Sequence, residues 1–76
     1  MQDHTYKVVQ LVGSSTGSVQ QAIDNAISRA GQTLQGLDWF VVKEIRGNIQ
    51  DGSTAWYQVT VDIGFRVMNP EDLHRE

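Results

Sequence analysis

The sequence predicts an α+β fold in the order β-α-β-β, a three-stranded antiparallel sheet partly wrapping one helix. Three observations carry this. Between Val19 and Leu34 apolar residues recur at spacings of three and four, the pattern of an amphipathic helix. Two long runs rich in β-branched and aromatic residues, 37–50 and 53–68, flank Asp51-Gly52, a favoured pair for a two-residue type I′ hairpin turn. A third run of the same kind, 5–13, precedes the helix and ends in glycine.

The first strand, TYKVVQLVG, gives way to SSTGS, which reads as loop and cap. Ser18 followed by Gln21 fits a capping box, the hydroxyl accepting a backbone N–H while the Gln side chain reaches back. The helical stripe comprises Val19, Ala22, Ile23, Ala26, Ile27, Ala30 and Leu34, with Gln20, Asp24, Asn25, Ser28 and Arg29 opposite. Gly36 stops the helix at a C′ position. Met68-Asn69-Pro70 ends the last strand, because proline has no N–H to give to a ladder. The domain therefore spans 1–68, and residues 69–76 form a polar C-terminal tail.

A helix between strands one and two makes those two strands parallel to each other. Strand three runs antiparallel to both, so placing it in the middle makes every pairing antiparallel. Its alternation of Val59, Val61, Ile63, Phe65 and Val67 suits that central slot.

If residues 50 and 53 pair across the turn, opposite positions on the hairpin sum to 103, and that sets the faces. One face, for the helix to cover, holds Phe40, Val42, Ala55, Tyr57 and the strand-three aliphatics. The other holds Trp39, Val41, Lys43, Ile45, Ile49, Trp56, Gln58, Thr60, Asp62 and Arg66. Arg46 falls on the helix side, where phosphate binding competes with a salt bridge to Glu44 of another chain or to Asp62. Trp39 stands opposite Gly64 and Gln58 opposite Ile45, about 20 Å apart along the strand at 3.3 Å per residue. One chain cannot offer both to the same ligand, but two chains across a two-fold axis can.

The Trp39 face is too apolar for solvent. A contiguous apolar patch of several hundred Å² on a small monomer marks an interaction site, so copies of the chain are expected to bury it against each other.

Bulk composition narrows the function. Seventy-six residues make one domain, in which burial alone gives marginal stability. The absence of cysteine excludes disulfides and thiolate metal sites. A net charge of −3, with six dispersed basic residues, argues against a nucleic-acid surface. No apolar h-region opens the chain and no run approaches membrane-spanning length, so a soluble cytoplasmic protein without membrane partners is expected. His4 and His74 are lone histidines without ligand neighbours, and no metal site is expected on them. The serines before the helix are read as caps rather than an anion site. Glu44 near a symmetry axis is open to a cation.

The segments TLQGLDWF, EIRG and YQVTVDIGFRV, within a wider match over about residues 4–67, resemble the dodecins, small flavin-binding proteins of β-α-β-β fold. The resemblance implies a hollow homo-dodecamer with flavins bound in pairs at two-fold axes, each pair sandwiched between symmetry-related tryptophans. The matching residue is Trp39, and Gln58 matches the glutamine that hydrogen-bonds the pyrimidine end of the ring. FMN is the implied cofactor, with riboflavin or FAD as variants and coenzyme A as a further ligand. Arg46 and Arg66 match the phosphate and ion-pair arginines. Indole suits stacking on an electron-poor ring, and a primary amide offers both donor and acceptor. Departures are the missing loop proline, Val41 in place of an acidic residue, and Asn48 and Trp56 where histidine is common. Trp56 reads as packing between subunits.

The function implied is flavin storage, buffering or sequestration without catalysis. The alternatives are a flavin-dependent oxidoreductase and a ligand-free structural oligomerisation module. No Cys, acid pair or Ser-His arrangement near Trp39 supports the former.

Overall fold

The computed structural model describes residues 4–67, so the tail expected over 69–76, with His74, lies outside the described residues. The chain forms β1 (Tyr6–Ser15), α1 (Val19–Thr33), β2 (Leu37–Gln50) and β3 (Ser53–Arg66). The sheet order is β1-β3-β2 with both pairings antiparallel, as the alternation in β3 predicted.

The helix begins at Ser18, whose Oγ accepts from the Gln21 N–H at 3.0 Å. The reciprocal half of the expected capping box is replaced: the Gln21 Oε1 accepts from the Ser15 hydroxyl at 3.3 Å. β1 also runs on through Ser14 and Ser15, two residues further than predicted. At the other end Leu34 is already extended, its N–H donating to the Ala30 carbonyl at 2.9 Å. Gly36 therefore does not end the helix. Its φ of 78° turns the chain into β2, a region of backbone space that glycine enters freely.

Ala22, Ile23, Ala26 and Ala30 of the helix bury against Val59, Val61 and Ile63 of β3, with Val9 and Leu11 of β1 alongside. The contact is close because small residues meet glycine. A Cβ added at Gly13 would collide with the Ala22 carbonyl oxygen and the Ala26 methyl.

The helix lies over β1 and β3 and leaves β2 uncovered beyond Leu37. Phe40 and Val42, expected beneath it, are 46% and 37% exposed. The reason is width: one helix covers about two strands spaced 4.8 Å apart. It is also short, since its 15 residues span about 22 Å against about 46 Å for a 14-residue strand. The hairpin overhangs, and the radius of gyration is 15.7 Å, where a compact domain of this length has about 11 Å.

The hairpin turn has φ of 52° at Asp51 and 79° at Gly52, both positive as a type I′ turn requires. Its register departs from the unbroken one expected. Near the turn and again over 39–42 partners sum to 103, but from Glu44↔Thr60 to Asn48↔Trp56 they sum to 104. Asp38 and Lys43 are extra residues on β2, and Ala55 on β3 compensates for Lys43. Bulges of this kind let a long, twisted ribbon bend. They correct three assignments. Ile45 pairs with Val59 rather than Gln58 and moves to the helix side, Ile49 moves with it to line a hollow with Val19 and Tyr57, and Arg46 pairs with Gln58 and moves to the opposite face.

Candidate functional site

The helix-free face carries Tyr6, Val8, Gln10 and Val12 of β1, Trp39, Val41 and Arg46 of β2, and Gln58, Asp62, Gly64 and Arg66 of β3. Tyr6, Val8, Val12, Trp39 and Val41 are exposed apolar groups. Across the middle runs a polar stripe, in which Asp62 accepts from the Gln10 amide at 3.0 Å and meets the Lys43 ammonium at 4.0 Å.

At one end of the face Trp39 stands opposite Gly64, as the register predicted. The indole lies against the backbone of β3: a Cβ at Gly64 would collide with its ring atoms. The exposed side of the ring leaves the residue 41% accessible. Tyr6 flanks it, with ring centroids 6.1 Å apart and a tilt of 55°. The Tyr6 hydroxyl donates to Asp38 Oδ2 at 2.9 Å. That bond raises the phenol above its ordinary pKa, with desolvation and the Asp38 charge acting in the same direction and Arg66 against them. Arg66 pairs with Tyr6 across β1 and β3.

At the other end Arg46 Nε donates to Gln58 Oε1 at 3.0 Å. The glutamine carbonyl is thus engaged within the chain, leaving the amide N–H pair to offer outward. Asp62 is not the arginine's partner within the chain: the cation at Asp62 is Lys43. Trp56, Gln58 and Ser14 to Thr16 border an open hollow of about 470 Å³.

The four site residues proposed from the sequence therefore share one face, in two groups: Trp39 with Arg66, and Gln58 with Arg46. Six β3 positions separate Gly64 from Gln58, about 20 Å. Sequence reasoning missed Tyr6 and Asp38: Asp38 adjoins Trp39 and would point to the other face in a regular strand, and only the bulge there lets it meet Tyr6. It also passed over Gly64, although an interior strand glycine signals a close approach. Among the described residues no group of three or more His, Cys, Asp or Glu could hold a metal ion, and no helix is long and apolar enough to cross a membrane.

The fold and this face define a small open-sheet protein with an exposed apolar surface and paired polar groups. The family model for Dodecin matches residues 5–68. A dodecin from Thermus thermophilus is 50% identical over 62 residues, covering 82% of this chain and 90% of that protein. The dodecin structure from Streptomyces coelicolor superposes with a TM-score of 0.85 at 49% identity, covering 91% of this chain and 99% of that one. The dodecin of Streptomyces davaonensis gives 0.85 at 51% identity, covering 90% and 100%. The chain belongs to the dodecin family, and so to a family of binding proteins rather than enzymes.

Proposed function

We propose that this protein binds flavin, FMN foremost with riboflavin or FAD as variants, and stores or buffers it in the cytoplasm. The observation that carries the reading is the seat of Trp39, whose indole lies along the strand backbone at Gly64 with its outer side open on an apolar face. An isoalloxazine fits that surface, being flat and electron-poor where the indole is electron-rich. In this reading copies of the chain close the face as a hollow homo-dodecamer. Gln58 of a two-fold-related protomer reaches the pyrimidine end of a ring stacked on Trp39, with Arg46 fixing that glutamine. Arg66, on the Trp39 side, takes the phosphate, as its planar fork suits that group. Coenzyme A remains a second ligand of the same chemistry, an aromatic ring carrying phosphates.

The exposed apolar groups on both faces of β2 support the assembly, since a single protomer leaves Phe40, Val41, Val42, Ile45 and Ile49 in water. When bound, the flavin supplies a redox-active, light-absorbing ring. The indole against it provides an electron donor at contact distance, which quenches emission and limits photochemistry.

Titrating FMN into purified apoprotein tests the reading. Flavin emission is expected to collapse up to one equivalent per chain. Trp39→Ala is expected to weaken binding by about 1–3 kcal/mol, the usual worth of one aromatic platform under a flat heterocycle, or roughly ten- to a hundredfold. Undiminished emission at protein excess would refute it.

A further inference from the structure

Trp39, Tyr6 and Asp38 form a row that flavin binding alone does not require. The two rings lie 6.1 Å apart between centroids, and the Tyr6 hydroxyl is 2.9 Å from a carboxylate oxygen of Asp38. In a chain without cysteine, indole and phenol are the side chains most easily oxidised by one electron. Phenol loses an electron readily only when its proton leaves at the same time, because the phenol radical cation is a very strong acid. A carboxylate within hydrogen-bond reach is the acceptor that such a step needs. The other tyrosine, Tyr57, pairs with Gly47 on the helix side and has no place in this row. The charged groups facing Tyr6 are Asp38 and Arg66, and the His4 ring meets it edge-on at 6.5 Å.

We propose that Tyr6 is an electron donor to oxidised Trp39, with Asp38 as the acceptor of its proton. The indole radical cation left by a one-electron oxidant gains an electron and returns to neutral indole. Tyr6 loses that electron while its O–H bond breaks, and becomes a neutral phenoxyl radical. Asp38 changes from carboxylate to carboxylic acid. One positive and one negative charge disappear together, so the hole moves off the ligand-facing ring without net charge transfer to solvent. When the electron returns from the reduced oxidant to the phenoxyl radical, the proton passes back from Asp38 and all three groups are restored. The row thus protects the stacking indole from irreversible oxidation. Only the identity of the natural oxidant, a photoexcited flavin, rests on the function proposed above.

The test therefore needs no flavin. In a Trp56→Phe background, where Trp39 is the sole indole, azide radicals generated by pulse radiolysis oxidise the indole and transient absorption follows the radicals. The indole radical is expected to give way to phenoxyl radical in matching yield, at a rate independent of protein concentration. Tyr6→Phe keeps the ring and is expected to lengthen the indole-radical lifetime about tenfold or more and to abolish the phenoxyl signal. Asp38→Asn removes the acceptor and is expected to slow transfer by about tenfold or more. Tyr57→Phe should change nothing, and this variant keeps the test decisive if Tyr6→Phe fails to fold. Equal indole-radical decay in the parent and Tyr6→Phe proteins, or loss of the phenoxyl signal in Tyr57→Phe, would overturn the proposal. Absence of FMN quenching with the relay intact would count against flavin binding alone.

Discussion

Trp39 rests on Gly64: the indole occupies the space where any other residue at position 64 would place its Cβ. A ring held this way has one side fixed by backbone and one side offered outward, which a stacking platform needs. The first consequence concerns the glycine. Gly64→Ala is expected to push the indole off the strand and weaken FMN binding by about tenfold, within the range of a lost aromatic platform. Fluorescence titration of the variant checks this, and near-UV circular dichroism should report the changed setting of Trp39.

Arg46→Lys should separate binding from stability. Lysine lacks the Nε donor that holds Gln58 at 3.0 Å, so the amide is no longer preset for the ligand, and ordering it on binding is expected to cost about 0.5–1.5 kcal/mol, or about two- to tenfold in FMN affinity. Because both side chains lie outside the buried core, the unfolding free energy should move by less than about 0.5 kcal/mol. Titration and thermal melting of the same sample give the two numbers.

In the proposed reading Arg66 takes the phosphate, so its replacement should act on one ligand and not the other. Arg66→Ala is expected to reduce FMN affinity by about 1.5–3 kcal/mol, the worth of a hydrogen bond to a charged group, while riboflavin affinity stays within about twofold. Parallel titrations with the two flavins decide it; an equal loss for both would remove Arg66 from the phosphate.

Gly13→Ala probes the core. The added methyl meets the Ala22 carbonyl oxygen and the Ala26 side chain, so the helix must lift from the sheet. Overpacking of this kind typically costs about 1–3 kcal/mol, a large share of what seven buried apolar residues provide. Chemical denaturation should show a lower midpoint.

Much of this was legible in the sequence. The alternation of β3 gave its central place, Asp51-Gly52 gave the turn, and the two together set Trp39 opposite Gly64. Bulges were not legible, because Lys43 and Ala55 look like any other strand residues, and the need to bend arises only once the hairpin outgrows its helix. That one-residue offset moved Arg46 onto the site face and Ile45 off it. The uncovered state of β2 was also hidden, since β2 has helix-side apolar residues whether or not the helix reaches them. Tyr6 and Asp38 come from different strands, and their hydrogen bond follows from the bulge at Asp38, which local pattern does not specify.

Tyr6 also gives the stability a pH dependence. Its hydrogen bond to Asp38, then desolvation and the Asp38 charge, hold its folded pKa above the ordinary 10.0. The neutral form is therefore favoured in the folded state. This contribution is present in full below pH 10.0 and is lost as pH rises through the folded value. The stability difference between the parent and Tyr6→Phe should be flat at neutral pH and shrink only in the alkaline range, as paired denaturation curves would show.

Native mass spectrometry of the protein equilibrated with FMN addresses the binding face and its closure by sister copies in one spectrum. The expected species is a dodecamer of the 8.5 kDa chain carrying one flavin per protomer, with Trp39→Ala giving the same assembly largely empty. A spectrum dominated by flavin-free single chains at micromolar concentration would contradict the account.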